Sequence, residues 1–304
     1  MEQKIKSELE AKLKGELSFE ESLAKHTYFR IGGPATVLII PADIEDLQKT
    51  LSYLHSNGLE YRVLGNGSNL LVADEGFAGV VIKLAGSLNE IEIDGSTVRA
   101  GAGARLPVVA RRAAKAGLAG LEFGVGIPAT VGGATVMNAG LGASASVGGL
   151  INRVEVLSAT GAKQSFEQAN CEFAYRSSRF QEGSSVIVEV EFGLTVGDSQ
   201  NIEAKMKELI NSRRQSQPLS LPNAGCIFKN PEGDSAGRLI DEAGAKGLQI
   251  GGAKVSEKHA NFIVNDGGAR ARDVLELIDK VRSLVNRKYG ILLELEIEFW
   301  PSRR

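Results

Sequence analysis

The chain has 304 residues, and at about 150 residues per domain this length suggests two domains. Thirty-five basic and 37 acidic side chains leave a formal charge of −2, which excludes recognition of nucleic acid or another polyanion by bulk charge. Two cysteines, Cys171 and Cys226, are too few for a disulfide framework, and neither lies at metal-ligand spacing, so a reduced protein without a metal site is expected.

The opening residues, MEQKIKSELEAKLKGEL, alternate charges, lack the apolar core of a secretory signal and suit an amphipathic helix, so a soluble, cytoplasmic protein is expected. Asp43 suits the N-cap of a helix running through Leu47, Leu51 and Leu54 to Gly58. A strand over 61–64 enters GNGSNLLVADEGFAGVVIKL, strands follow at 89–94 and 97–100, and a helix over 106–116 stops at Gly117. Residues 123–152 carry no charge, but eight glycines and Pro128 suit a membrane span poorly, so a buried segment facing a ligand is expected there. Strands RVEVLSA and SVIVEVEFGL come next, and strands mixed with scattered helices indicate an α+β fold.

The character changes near residue 198, where a helix with Met206, Leu209 and Ile210 precedes the connector SRRQSQPLSLPNAG. Asp234 or Ser235 suits the cap of a short helix ending at Gly244. Apolar residues at 274, 277, 278, 281, 284 and 285 form the stripe of a long helix. The stretch ILLELEIEF alternates as a strand, with Glu294, Glu296 and Glu298 on one face.

Glycine is the compositional outlier: 18 of the 36 glycines lie between Gly65 and Gly149, which allows either tight turns or backbone laid closely against a ligand. G124-V-G126-I-P-A129 matches the dinucleotide fingerprint by letters only, because its Pro128 is followed by a turn-like glycine pair and the next acid is Glu155. LGNGSNLLV is more informative. A strand ending in Gly-Asn-Gly-Ser-Asn offers closely spaced N–H groups and short polar side chains able to cradle a pyrophosphate; an Asn-Gly hairpin turn is the other reading.

GNGSNLLV and GIPATVGGATVMNAG resemble the two FAD-contacting segments of the UDP-N-acetylmuramate dehydrogenases, also called UDP-N-acetylenolpyruvoylglucosamine reductases. TYFRIGGPA, AYRSSRF, QPLSLPNAGCIFKNP, AGRLIDEAGAKG and VSEKHANFIVN resemble further family motifs, in family order over about residues 26 to 298. The compact AYRSSRF stretch is similar to the type II branch. The resemblance implies a two-lobed FAD-binding domain of the vanillyl-alcohol-oxidase (PCMH) type over 1–197. A C-terminal α+β substrate-binding domain over 198–304 would follow, its last strand carrying Glu296.

It also implies bound FAD, NADPH as co-substrate and the enolpyruvyl ether of UDP-N-acetylglucosamine as substrate, in peptidoglycan precursor synthesis, with no nucleic acid, membrane or metal. A flavin oxidase or dehydrogenase of the same fold acting on another substrate is the alternative. The FAD contacts implied are Leu64, Gly65, Asn66, Gly67, Ser68 and Asn69, then Gly126, Ile127, Pro128, Gly132, Gly133, Ala139 and Gly140. Arg176 matches the family's catalytic arginine, whose planar fork suits a carboxylate gaining enolate character. Cys226 stands where many members carry a serine proton donor; a thiol, with an ordinary pKa of about 8.5, is the stronger acid. Glu296 aligns with the C-terminal catalytic glutamate. Tyr175, Lys229 and Asn230 are implied substrate contacts, with Arg214 and Gln217 on the approach to the diphosphate. His259 is a family-typical position with a structural reading at least as strong as a catalytic one.

Overall fold

Asp43 begins the clearest helix of the chain by accepting a hydrogen bond from the backbone of Asp46 at 2.8 Å, which satisfies one of the orphan donors of a first turn. In the computed structural model, which describes residues 3–142 and 145–301, the opening helix α1 (Gln3–Lys12) precedes this helix, α2 (Ile44–Ser56). The chain divides into two compact units. Unit 1 takes residues 1–19, 36–66 and 79–211, and unit 2 takes 20–35, 67–78 and 212–304.

Two sheets draw all or most of their residues from unit 1. Strands Glu16–Ser22, Pro34–Ile40, Phe77–Lys83 and Tyr61–Leu64 form the first in that order, the last two parallel. Leu47, Leu51 and Leu54 of α2 are fully buried in one cluster with Val37, Ile39, Val80 and Ile82 of this sheet. The second sheet is antiparallel throughout, in the order Lys163–Glu167, Ile151–Leu157, Val186–Gly193, Thr97–Gly101, Ile91–Asp94. Alternation sorts its side chains: Val98, Val154, Val188, Val190 and Phe192 are buried, while the Glu191 carboxylate takes Arg99 at 3.0 Å and Arg153 at 3.2 Å across the strands. Helix α3 (Leu106–Lys115) adds Val109, Ala110 and Ala113 to the core. The short α4 (Val131–Val136) and the long α5 (Ser199–Ser216) follow.

Helix α5 runs further than expected. Residues 212–216, read in sequence as the start of a turn-rich connector, continue the helix to Ser216. The break comes where two prolines, Pro218 and Pro222, withhold backbone donors.

In unit 2, α6 (Ala236–Glu242) and α7 (Ala271–Tyr289) share a core with the small antiparallel sheet Gln249–Ile250, Ala253–Val255, Ile263–Asn265. The stripe of α7 is buried at Val274, Leu277, Ile278, Val281 and Val285. The Asp74 carboxylate caps it, accepting from Ala271 N at 2.8 Å and Arg272 N at 3.2 Å, and Gly290 ends it in the left-handed conformation. The strand expected over 291–299 is corrected to Glu298–Trp300, so Glu296 lies just before it. The chain changes partners here. Leu295 bridges Phe228 antiparallel, whereas Glu298–Trp300 pairs parallel with Leu70–Val72. Among the described residues no helix is long and apolar enough to cross a membrane.

Candidate functional site

The two glycine-rich segments meet in unit 1. Where strand Tyr61–Leu64 ends, the Asn66 side-chain amide donates to the Pro128 carbonyl at 2.7 Å. A Cβ on Gly65 would stand 2.5 Å from Thr130 Oγ1. That hydroxyl is engaged: it accepts from Gly133 N at 3.2 Å and caps α4. Residues 129–132 are fastened to 102–106 by bonds from Leu106 N to Ala129 O, Val131 N to Ala104 O and Gly132 N to Ala102 O. A Cβ on Gly132 would press Ala102 at 3.0 Å, and one on Gly140 would run into the Ala145 carbonyl.

Gly65, Asn66, Gly126, Ile127, Pro128, Gly133, Ala139 and Gly140 are half-buried, and Leu64 and Gly132 are buried behind them. Gly149 faces open space where a Cβ would point, and Gly133 meets only Thr130 Oγ1, at 3.4 Å. This is uncharged backbone with room beside it, rigidly held, and it fits a flavin dinucleotide that needs close main-chain approach rather than side-chain charge. Within the same group Gly67, Ser68 and Asn69 belong to unit 2. There Gly67, at φ +63°, receives Tyr28 N on its carbonyl at 2.9 Å, and any Cβ on it would collide with the His26 carbonyl.

Arg176 and Tyr175 also lie in unit 1, on a turn closed by reciprocal bonds between Ala174 and Ser177. Arg176 sits at φ +55°, a strained conformation for a side chain with Cβ. The turn is held from three sides. Asn138 Nδ2 donates to Ala174 O at 2.7 Å, Ser178 Oγ to Val136 O at 2.7 Å, and Gln181 Nε2 to Arg176 O at 2.9 Å. The guanidinium lies 5.2 Å from the Tyr175 ring centre and donates to the Gly140 carbonyl at 3.0 Å, which brings two of the expected groups of residues together. Both residues line a cavity of about 230 Å³ with Asn138, Ser146, Gln168 and Phe173.

The remaining candidates assemble in unit 2. Cys226, half-buried, begins a segment paired on both sides. On one side Glu296 N donates to Ile227 O at 2.8 Å and Lys229 N to Glu294 O at 2.9 Å. On the other, Ile227 N donates to Asn261 O at 2.8 Å. Glu296 is half-buried while Glu294 and Glu298 are exposed, a distinction that alternation alone does not make. Lys229 Nζ lies 3.6 Å from the Glu294 carboxylate, and Asn230 Oδ1 accepts from Ala236 N at 3.0 Å, capping α6. His259 is held against the Phe262 ring, and its Nδ1 accepts from Asn261 N at 3.3 Å; burial, then the Lys246 charge, pushes its pKa down.

Arg213 is a residue that sequence reasoning passed over. Its Nε donates to Gln217 Oε1 at 2.8 Å; burial pulls its pKa below the ordinary guanidinium value, an effect that Cys226 opposes. The expected neighbour, Arg214, is exposed, and its carbonyl accepts from Lys258 Nζ. The missing signal was helical period. Once α5 continues to Ser216, Arg213 follows Ile202, Met206 and Leu209 on one stripe.

Residues 35–165 match the family model described as FAD binding domain, and residues 217–300 match the C-terminal domain of UDP-N-acetylenolpyruvoylglucosamine reductase. The chain is 48% identical to the UDP-N-acetylenolpyruvoylglucosamine reductase of Carboxydothermus hydrogenoformans over 97% of each chain. It is 41% identical to that of Bacillus subtilis over 99% of this chain and all of the relative. Among solved structures, the reductase of that name from Thermus caldophilus superposes with a TM-score of 0.82 at 41% identity, covering 95% of this chain and 100% of the other.

Proposed function

The chain belongs to the UDP-N-acetylenolpyruvoylglucosamine reductase family, an oxidoreductase family, and on that premise we propose that it reduces the enolpyruvyl ether of UDP-N-acetylglucosamine to UDP-N-acetylmuramate with NADPH, as a cytoplasmic step of peptidoglycan precursor synthesis. The chemistry that FAD supplies when bound is hydride transfer, from NADPH to C3 of the enolpyruvyl group by way of N5. Leu64–Asn69, Gly126–Pro128, Gly132, Gly133, Ala139 and Gly140 would hold the flavin.

Everything else falls to side chains of this protein. As hydride reaches C3, negative charge spreads from C2 onto the substrate carboxylate. Arg176 meets that carboxylate with a planar, permanently charged fork, so its attraction grows as the enolate forms. Cys226 delivers the proton to C2, leaving a thiolate that solvent reprotonates. Glu296 holds a proton or a water beside the same carboxylate. Lys229, Asn230, Arg214 and Gln217 serve the rest of the nucleotide sugar, and Tyr175 shapes the cavity beside Arg176.

The observation that carries this reading is the bond from Glu296 N to Ile227 O, which sets the acid candidate and the carboxylate candidate on directly paired segments. The test is anaerobic. NADPH should bleach the yellow holoprotein near 450 nm (about the usual flavin maximum), and the enolpyruvyl substrate should then restore the colour. A bleached protein that the substrate leaves colourless ends the assignment. Cys226→Ala should slow only recolouring, and Cys226→Ser should retain substantial activity.

A further inference from the structure

Asn261 is 2% exposed and spends its whole side-chain amide on one residue: Oδ1 accepts from Phe228 N at 3.0 Å, and Nδ2 donates to Phe228 O at 2.8 Å. Its own carbonyl accepts from Ile227 N. A planar amide thus imitates one rung of a β-ladder, with a donor and an acceptor presented side by side to a main chain that already pairs with residues 294–296 on its other edge. The backbone on either side of Ile227 is therefore fixed in both directions, and Cys226 is the next residue toward the N-terminus. The clamp is itself anchored, because Asn261 N donates to His259 Nδ1, and the Ser256 hydroxyl accepts from His259 N at 3.3 Å.

We infer that Asn261 is a positioning residue for the reaction: it sets the height of the Cys226 thiol relative to Glu296 and so governs proton delivery without touching substrate. The inference rests on the proton-donor reading of Cys226. Its physical basis is that proton transfer demands heavy-atom separations held to a few tenths of an ångström, and displacement of a reacting group by about 1 Å costs on the order of a hundredfold in rate. Losing one of two clamp bonds lets the 226–228 backbone move while its partners at 294–296 stay in place.

Asn261→Asp keeps the acceptor for Phe228 N and replaces the donor with an oxygen facing Phe228 O. In the holoprotein, anaerobic reduction by NADPH should stay within about twofold of wild type, while recolouring by substrate slows on the order of tenfold or more. In a Cys226→Ala background the same substitution should change recolouring by less than about twofold, because the group it positions is gone. Equal slowing of both half-reactions, or full multiplication of the two substitutions, marks a merely structural asparagine and overturns the inference. If Cys226→Ala alone leaves recolouring unchanged, the proton-donor reading fails and the inference falls with it. If Cys226→Ala slows recolouring but Asn261→Asp does not, only the inference fails. Asn261→Ser, whose hydroxyl can make one of the two bonds, serves if the aspartate variant does not fold. Hydrogen exchange on the wild-type holoprotein needs no variant: the Ile227 and Phe228 amides should be strongly protected, and loop-like exchange there overturns the clamp.

Discussion

The side-chain amide of Asn69 donates to the main-chain carbonyl of Glu296 at 3.0 Å, and the Asn69 carbonyl accepts from Glu298 N at 2.9 Å. One asparagine therefore spans the point at which the C-terminal segment leaves Phe228 and joins Leu70–Val72. Asn69 stands among the residues that the family resemblance assigns to FAD, yet its Nδ2 is committed to the carbonyl of the candidate catalytic glutamate. Asn69→Ala should cost about 1 kcal/mol in urea unfolding, the worth of one hydrogen bond. It should also slow substrate-driven recolouring more than it reduces FAD content. Unaltered recolouring kinetics of the holoprotein would confine Asn69 to the flavin role already given it and remove its link to Glu296.

Gly65 and Thr130 make a paired prediction. Gly65→Ala puts a methyl 2.5 Å from a hydroxyl that already caps α4, so either the cap or the strand end must shift. The purified variant should carry markedly less flavin per chain. Gly65→Ala with Thr130→Ala removes the obstructing oxygen, at about 1 kcal/mol for the lost cap, and should regain flavin. A double variant as colourless as the single one would point to a direct clash between the new methyl and the cofactor.

The two cysteines should react differently. Cys171 is fully buried, its Sγ lies 3.4 Å from the Glu167 carbonyl, and burial pushes its pKa from 9.0 up to about 11. A thiolate-directed reagent at pH 8 should label native wild type at Cys226 alone, and Cys226→Ser protein should take label only after unfolding. The same shift carries a sign. A folded value above the unfolded one means its contribution is whole below pH 9 and is lost as pH rises toward about 11. Rapid labelling of native Cys226→Ser protein would refute this account.

His259 titrates in the opposite sense. Burial, then the Lys246 charge, lowers its pKa from 6.5, so the neutral ring is the folded form and Nδ1 is free of a proton to accept Asn261 N. Its contribution is present above pH 6.5 and is lost as pH falls through the lowered value. Urea midpoints compared at pH 7.5 and pH 5 should drop more for wild type than for His259→Asn, which has no proton to take up. Identical drops in the two proteins would remove His259 from the acid response.

Much of this molecule is legible along the chain because its causes are local. Asp43 with Leu47, Leu51 and Leu54 specifies α2 through one cap and one helical stripe; Gly117 and Gly290 stop α3 and α7; alternation marks individual strands such as RVEVL and VIVEVEF, though neither the edge strand Lys163–Glu167 nor the order of the sheet. The ordered motifs add the candidate residues. What folding alone settles is carried by bonds with no local signature. Asn261 reaches Phe228 across 33 residues, Asp74 caps a helix 197 residues away, and Asn69 holds Glu296 across 227. The segments 20–35 and 67–78 join residues 212–304 for the same reason. Hydrogen-bond partners far apart in sequence are selected by the packed chain, so the change of strand partner at 296–298 emerges only in three dimensions.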